Sequence, residues 1–263
     1  MDAVRDMIQS GILKGKAQNR LPDGYETIQD TEVYEAPSNE PGQKYGVTCD
    51  PAGYGETGDP TAIHVIHFNT GNEVASWSGR TDPEGAATRI KLLQQYYGVQ
   101  RTRIYCESNH GQCIAIMVAW RMKGLYYYNP HHPGVHSNAQ TNDDGLTAMV
   151  EMLRKRWMLV RSMESLTQVA SWDGKARTKR SKAEEGTHHY DRAVAVRLAA
   201  WAARHDPWAK EAHSRVTSPI YVGEAVTAAV PEEDLTARAM FERYAKRQAP
   251  GPTRKMPVYR GHR

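Results

Sequence analysis

One stretch, residues 44–68, limits the folds open to this chain more than any other. It begins with a strand-like run, with apolar residues at alternate positions, that ends at Asp50, and a turn rich in glycine and proline follows. Glycine and proline at such density interrupt regular structure, so the chain must turn there. The β-branched run 61–68 then follows, as the partner strand of a hairpin would. The sequence therefore predicts two adjacent strands with a carboxylate at the end of the first.

Two further acids occupy matching positions in the predicted structure. Glu107 ends the strand 103–107 (RIYCE), and Asp191 lies at the start of an alanine-rich helix. If the strands that end at Asp50 and Glu107 are parallel neighbours, both acids emerge at the same edge of the sheet, and the start of a helix can bring Asp191 to them. A buried carboxylate is costly in free energy unless a cation compensates it. These three acids are therefore candidate metal ligands.

The chemistry of such a set favours divalent cations. Three carboxylates close together would repel one another without cations, and hard oxygen ligands suit Mg²⁺ or Mn²⁺. Two such ions about 4 Å apart form the arrangement that cleaves phosphodiesters. Asp59, after the glycine turn, is a fourth candidate. The alternative is structural: taken singly, an acid at a strand end is more often a loop cap, and Asp191 could be only the N-cap of its helix.

The order of apolar patterns predicts an α/β fold in which a mixed sheet carries helices on both faces. Three consecutive strands are followed by alternating helices and strands, which is typical of that architecture. The predicted strands are 45–49, 62–68, 73–79, 103–107 and 125–128, and the predicted helices are 83–97, 112–123, 146–157 and 189–204. Residues 129–145 are predicted as a loop, with Asp143 or Asp144 as the cap of the next helix, and residues 158–169 as strand or mixed structure.

The chain divides into three parts by composition. Residues 1–43 are polar and contain several prolines and glycines, which predicts an N-terminal arm or linker with one short amphipathic helix at 4–13. Residues 44–210 carry the α/β pattern and are predicted to form the folded domain. Residues 211–263 are a C-terminal extension with a helix expected at 235–246 and a basic tail expected to be disordered.

Composition also narrows the environment in which the chain works. Cys49, Cys106 and Cys113 are an odd, widely spaced set, which indicates a reducing compartment and neither a disulfide framework nor a zinc cluster. No apolar run approaches the roughly 20 residues of a membrane span. The N-terminal segment lacks the apolar core of a signal peptide, so secretion is not expected. The formal net charge of +4 is a mild basic excess.

Four segments, taken in order along the chain, carry a family resemblance. The first is the strand, Asp50 and the glycine-rich turn as far as Gly-Asp-Pro-Thr-Ala, which contains Asp59. The second is IYCESNHGQ, which contains Glu107. The third is the region 145–169, which ends in MESLTQV, and the fourth is HHYDRAVAVRLAAWA with Asp191. Together they resemble the nuclease domain of the phage large terminase subunit, in the ribonuclease H-like superfamily.

The resemblance covers about residues 44–204, and it has one departure. The family often has two adjacent acids at the start of its last helix, whereas this chain has Tyr190 followed by Asp191. Metal binding at that point would then rest on one acid, with His188 or His189 as a helper.

The resemblance implies a metal-dependent endonuclease that cuts concatemeric double-stranded DNA during viral genome packaging. It implies that Asp50 bridges two Mg²⁺ or Mn²⁺ ions, that Glu107 and Asp191 each complete the coordination of one ion, and that Asp59 assists. The implied partners are double-stranded DNA, the portal, the small terminase subunit and a motor ATPase domain. The implied location is the host cytoplasm, with no membrane association. The ATPase motor itself needs a G-x-x-x-x-G-K-[ST] loop, which this sequence lacks.

Two alternatives stay open. A Holliday-junction resolvase or another ribonuclease H-like nuclease would use the same order of acids on branched or hybrid substrates. A non-catalytic DNA-binding or docking module of a packaging motor would need no acids, and the intact Asp50, Glu107 and Asp191 argue against it.

A basic cluster precedes Asp191 and is a candidate DNA contact. Its members are Lys175, Arg177, Lys179, Arg180 and Lys182. Such a segment can hold the DNA backbone through phosphate contacts, and the alternative is an ordinary solvated loop. Because an unregulated nuclease is harmful, we expect the surrounding segment 172–186 to gate access to the site.

Three other groups of residues, which are tyrosines, apolar helix faces and loop histidines, are not assigned to the candidate site. The three tyrosines at 126–128 are predicted as a core strand rather than a base-stacking platform. The apolar faces of 114–120 and 194–201 are predicted as core. Three histidines share one loop without a fitting acid or cysteine, which makes a weak metal site: His131, His132 and His136.

Overall fold

The computed structural model describes residue 21 and residues 23–51, 60–109, 111–171 and 190–214. No helix within these ranges is long and apolar enough to cross a membrane. The predictions that lie outside them are the helices at 4–13 and 235–246, Asp59, His188 and His189, the basic cluster at 175–182 and the C-terminal tail.

A five-stranded sheet forms the centre of the described structure. Its strands are β1 (Glu32–Val33), β2 (Tyr45–Asp50), β3 (Thr61–His67), β4 (Asn72–Gly79) and β5 (Thr102–Cys106), in the order β1-β4-β3-β2-β5. Every neighbouring pair is antiparallel except β2 and β5, which run parallel. The predicted mixed sheet is therefore confirmed, together with the parallel pair that ends near Asp50 and Glu107.

Helices cover both faces of the sheet, as predicted. The helices are α1 (Pro83–Tyr97), α2 (Gln112–Ala119), α3 (Ala139–Arg154), α4 (Met163–Ser171), α5 (Asp191–His205) and α6 (Pro207–His213). On one face, α1 and α2 pack against sheet residues such as Val47 and Ile104. On the other face, α3 to α6 pack around Ile66, Phe68 and Tyr105. Because successive side chains of a strand point to opposite faces, alternate residues of the same strands supply the two cores.

Helix α1 begins and ends where the sequence predicts. The carboxylate of Asp82 accepts a hydrogen bond from the Gly85 N–H at 2.6 Å, and Pro83 takes the first helical position. Gly98 ends the helix with a φ of 95°, which glycine adopts without the strain of a side chain.

Helix α3 begins earlier than predicted. Asn138 is its N-cap: the Asn138 side chain accepts from the Thr141 N–H at 2.9 Å, and the Thr141 hydroxyl accepts from the Asn138 N–H at 2.9 Å. This capping box replaces the predicted cap at Asp143 or Asp144 and shortens the predicted loop 129–145. The prediction was wrong because the polar first turns of α3 hide the helical pattern.

The predicted buried strand at 125–128 is the first half of a small exposed hairpin. The hairpin consists of β6 (Tyr127–Asn129) and β7 (His132–Pro133). Leu125 bridges to Ile104 of β5, after which the chain leaves the sheet. Tyr127 and Tyr128 are 45% and 43% exposed, so the core interpretation of these two residues was wrong.

The chain after α3 returns to the sheet before α4 starts. Leu159 bridges to the start of β4, and α4 follows, so residues 158–169 are mixed structure. Helix α6, which was not predicted, is held by the buried carboxylate of Asp206. This carboxylate accepts from Arg103 at 2.7 Å and from the Tyr105 hydroxyl at 2.5 Å.

The three cysteines are buried free thiols that meet on the α1–α2 side of the sheet. Cys49 and Cys106 lie opposite each other in register, one residue before Asp50 and Glu107. Burial raises the pKa of the Cys49 thiol, whereas hydrogen bonds with Cys106 and Cys49 lower the pKa of the Cys113 thiol. The thiols therefore form part of the packing under the two strand ends.

Candidate active site

Asp50 and Glu107 lie at the same edge of the sheet. Asp50 is the last residue of β2, and Glu107 directly follows β5. Cys49 pairs with Cys106 across the two parallel strands, and the Glu107 N–H donates to the Cys49 carbonyl at 2.9 Å. The acids are thus the next residues in register, and they share the face on which Tyr105 packs, which α3 to α6 cover. Both acids are buried.

Asp191 is the first residue of α5, which packs across β2 and β3. Its N-cap is Tyr190, so the interpretation of Asp191 as the N-cap was wrong. The Asp191 side chain is buried, and a carboxylate in the first turn is favoured by the helix dipole. Asp191 therefore lies on the helix layer that covers the face of Asp50 and Glu107.

Gln168 of α4 holds the start of α5. Its side-chain oxygen accepts from the Arg192 N–H at 2.9 Å and from the Ala193 N–H at 3.3 Å. These donors belong to the N-terminal turn, where a helix lacks internal partners, and the N-cap residue supplies no side-chain bond. The Arg192 guanidinium also donates to the Ser162 hydroxyl at 3.1 Å. Helix α4 thus fixes the turn that carries Asp191.

We expect Gln168→Ala to loosen this turn. The variant leaves two N–H groups without their acceptor, so the amides of Arg192 and Ala193 should exchange faster with solvent. The loss in the free energy of unfolding should be about 1 kcal/mol, the usual cost of a lost helix cap. Gln168→Glu keeps an oxygen acceptor and should keep the protection. Amide exchange followed by NMR measures both variants, and equal protection in all three proteins would contradict the assignment.

The sequence analysis missed a buried polar network under α4. Its signal in the sequence was a histidine and a glutamate, His64 and Glu73, within otherwise apolar strands. Glu73 of β4 accepts from the backbone N–H groups of Arg161 at 2.6 Å and Ser162 at 2.8 Å. Its other oxygen contacts His64 Nδ1. Burial acts to raise the pKa of Glu73, but His64 and the two amides outweigh burial, and the pKa lies below its ordinary value. The network ties the chain before α4 to the sheet.

Glu107 has a cationic neighbour that was also missed. Arg197 lies on α5 within the face predicted to be apolar core, and it is among the largest fully buried side chains. Its Nη2 atom is 3.9 Å from Glu107 Oε1. Asn109 Nδ2 donates to the same oxygen at 3.2 Å. The surroundings of Glu107 are therefore polar and positively charged.

The donor chemistry of the three acids fits a hard divalent cation, because carboxylate oxygens are the ligands that Mg²⁺ and Mn²⁺ prefer. The acids do not form a complete set of metal ligands in this structure. Among the residues that it describes, no three His, Cys, Asp or Glu side chains are grouped to hold an ion. The same finding covers the three loop histidines, His131, His132 and His136. Asp50 and Glu107 thus share one edge, with Asp191 on the helix that covers it.

Comparison with known proteins gives a likeness of fold. No protein-family model and no curated protein sequence matches the chain. The large terminase nuclease of thermophilic phage G20c matches with a TM-score of 0.46 and 15% identity, over 66% of this chain and 88% of that chain. The large terminase nuclease domain of Thermus phage P74-26 matches with a TM-score of 0.47 and 15% identity, over 66% and 85%.

A longer protein and several metal-bound forms match as well. The large terminase of thermophilic bacteriophage D6E matches with a TM-score of 0.43 and 16% identity, over 73% of this chain and 46% of that chain. The G20c nuclease also matches in structures with bound magnesium, zinc and cobalt. At these TM-scores and at 15–16% identity, the matches carry over neither a family nor the role of any residue to this chain.

Proposed function

We propose that this chain is a metal-dependent DNA endonuclease that cuts concatemeric double-stranded DNA during viral genome packaging. One observation carries the proposal: buried Asp50 and Glu107 end two neighbouring parallel strands, and the helix that begins at Asp191 packs on the same face. The carboxyl ends of parallel strands are where an α/β sheet usually binds its ligands. The order Asp, Glu, Asp along the chain also agrees with the resemblance in the sequence.

The proposed roles follow from these positions. Asp50, Glu107 and Asp191 would hold Mg²⁺ or Mn²⁺, with Asp50 as the shared ligand and Glu107 and Asp191 as the further ligands, and Asp59 would assist. Bound ions would neutralise charge on the scissile phosphate and act as Lewis acids. Because β2 and β5 are paired up to Cys49 and Cys106, the backbone holds the first two acids rigidly without help from the metal.

The proposed partners follow from the same function. The basic cluster at 175–182 holds the DNA backbone, so affinity should fall steeply as salt rises. A motor ATPase domain, the portal and the small terminase subunit complete the packaging machine in the host cytoplasm.

Cutting of supercoiled plasmid by the full chain tests the proposal. We expect nicked and then linear plasmid with Mn²⁺, and no product when EDTA removes the ion. A chain that produces no metal-dependent cuts would contradict the proposed function. Matched linear duplex and four-way junction substrates separate the two nuclease classes: comparable cutting of linear duplex supports the packaging role, whereas a strong preference for junctions would indicate a resolvase.

A further inference from the structure

We propose that Arg197 is a resident cation, a permanent positive charge within the candidate metal site. The Arg197 guanidinium holds the Glu107 side chain and competes with a divalent ion for the Glu107 carboxylate. The inference rests on the proposed function, in which Glu107 is a metal ligand. The side chains of Arg197 and Glu107 are 1% and 2% exposed, and Nη2 lies 3.9 Å from Oε1. A guanidinium keeps its charge at any physiological pH. At this burial, salt in the solvent screens the pair much less than it would screen an exposed pair.

The fold is built to keep Arg197 in this position. Asn142 of α3 accepts a hydrogen bond from Nη1, and Nη2 donates to the Ser137 hydroxyl at 3.2 Å. The aliphatic stem passes over Gly145 of α3, where an added Cβ would lie 2.9 Å from Arg197 Cγ. Glycine inside a helix is less stable than alanine, and at this position the absence of a side chain leaves room for the arginine stem.

A positive charge beside Glu107 offsets part of the acidic charge that would attract a divalent ion. An ion that binds must share the Glu107 carboxylate with the guanidinium. Since Arg197 is buried, it acts through Glu107 and not on DNA, which makes it a positioning residue. The ion should therefore bind more weakly than it would to the acids alone.

Binding of Mn²⁺, measured by EPR of the free ion, tests this on the full chain. We expect Arg197→Gln to bind Mn²⁺ about tenfold tighter or more, a factor that corresponds to about 1.4 kcal/mol. The matched control Arg154→Gln makes the same change at an exposed position of α3 and should stay within about threefold of the wild type. A residue with a purely structural role would give the opposite sign, because its loss would loosen the site. Equal or weaker Mn²⁺ binding by folded Arg197→Gln would overturn the inference.

A second measurement tests the route through Glu107. In a Glu107→Gln background, adding Arg197→Gln should change Mn²⁺ affinity by less than about twofold, because the two residues act as a coupled pair. A full effect without the carboxylate would contradict the inference. Far-UV circular dichroism checks the fold of every variant. Should Arg197→Gln not fold, Arg197→Met, which keeps the stem over Gly145, gives the same comparison.

Failure of this inference can be told apart from failure of the proposed function. If the wild type does not cut plasmid, the nuclease proposal fails even when Mn²⁺ affinity follows the charge at position 197. If an active nuclease shows Mn²⁺ affinity independent of that charge, only the inference on Arg197 fails. If neither the wild type nor Arg197→Gln binds Mn²⁺, both fail.

Discussion

Asp50→Asn should cut supercoiled plasmid more slowly than the wild type, with a rate lower by on the order of 10³-fold or more. This corresponds to an activation free energy about 4 kcal/mol higher. The substitution keeps the size of the side chain and removes the charge that a bridging ligand must supply. Asp50 is buried at the end of β2, and a neutral amide costs less free energy to bury than a carboxylate. Loss of the charge should therefore leave the fold intact. Initial rates at a fixed Mn²⁺ concentration measure the effect.

The matched control is Asp143→Asn, the same change at an exposed position of α3. It should cut at the wild-type rate, since Asp143 is solvated. Cutting by Asp50→Asn at the rate of this control would show that the carboxylate does not take part in the reaction.

Glu73→Ala should lower the free energy of unfolding by about 3–5 kcal/mol, because three groups lose their shared acceptor and each buried unsatisfied donor costs about 1–3 kcal/mol. The change leaves His64 and the N–H groups of Arg161 and Ser162 without the acceptor that they share. Urea denaturation followed by circular dichroism measures it. Glu40→Ala, at an exposed loop position, should stay within about 0.5 kcal/mol of the wild type. Similar losses in both variants would contradict the role of the network.

The contribution of Glu73 should also depend on pH with a defined sign. Its folded-state pKa lies below the ordinary value of 4.5. The Glu73 carboxyl therefore binds a proton less readily in the folded state than in the unfolded state. Its stabilising effect is fully present above the unfolded-state pKa and is lost as the pH falls through the folded-state pKa. The stability difference between the wild type and Glu73→Gln should shrink as the pH falls below about 5. A difference that grows in acid would refute the assignment.

Local signals in the sequence predicted the frame of the fold. The apolar run that ends at Asp50 and the run RIYCE that ends at Glu107 are short, β-rich and bounded by turns, so their pairing could be anticipated. Helix α1 has a capping acid, an early proline and a terminal glycine, and each acts within its own turn. Such features need no knowledge of distant contacts.

The features that were missed depend on contacts between distant segments. Glu73 meets the amides of residues 161 and 162 only after the sheet and α4 are in place. Arg197 resembles a solvated arginine in an alanine-rich helix until Glu107 and Gly145 pack beside it. The start of α3 is a different case, because the Asn138 and Thr141 spacing is a local capping signal that the sequence does contain.

The position of bound Mn²⁺ in a crystal of the full chain tests the central claim most directly, since the anomalous signal of the ion identifies it. We expect anomalous density coordinated by the carboxylates of Asp50 and Glu107, with Asp191 completing the site from the start of α5. Mn²⁺ bound elsewhere on the chain, with these three carboxylates uncoordinated at saturating ion, would show that the three acids are not the metal site.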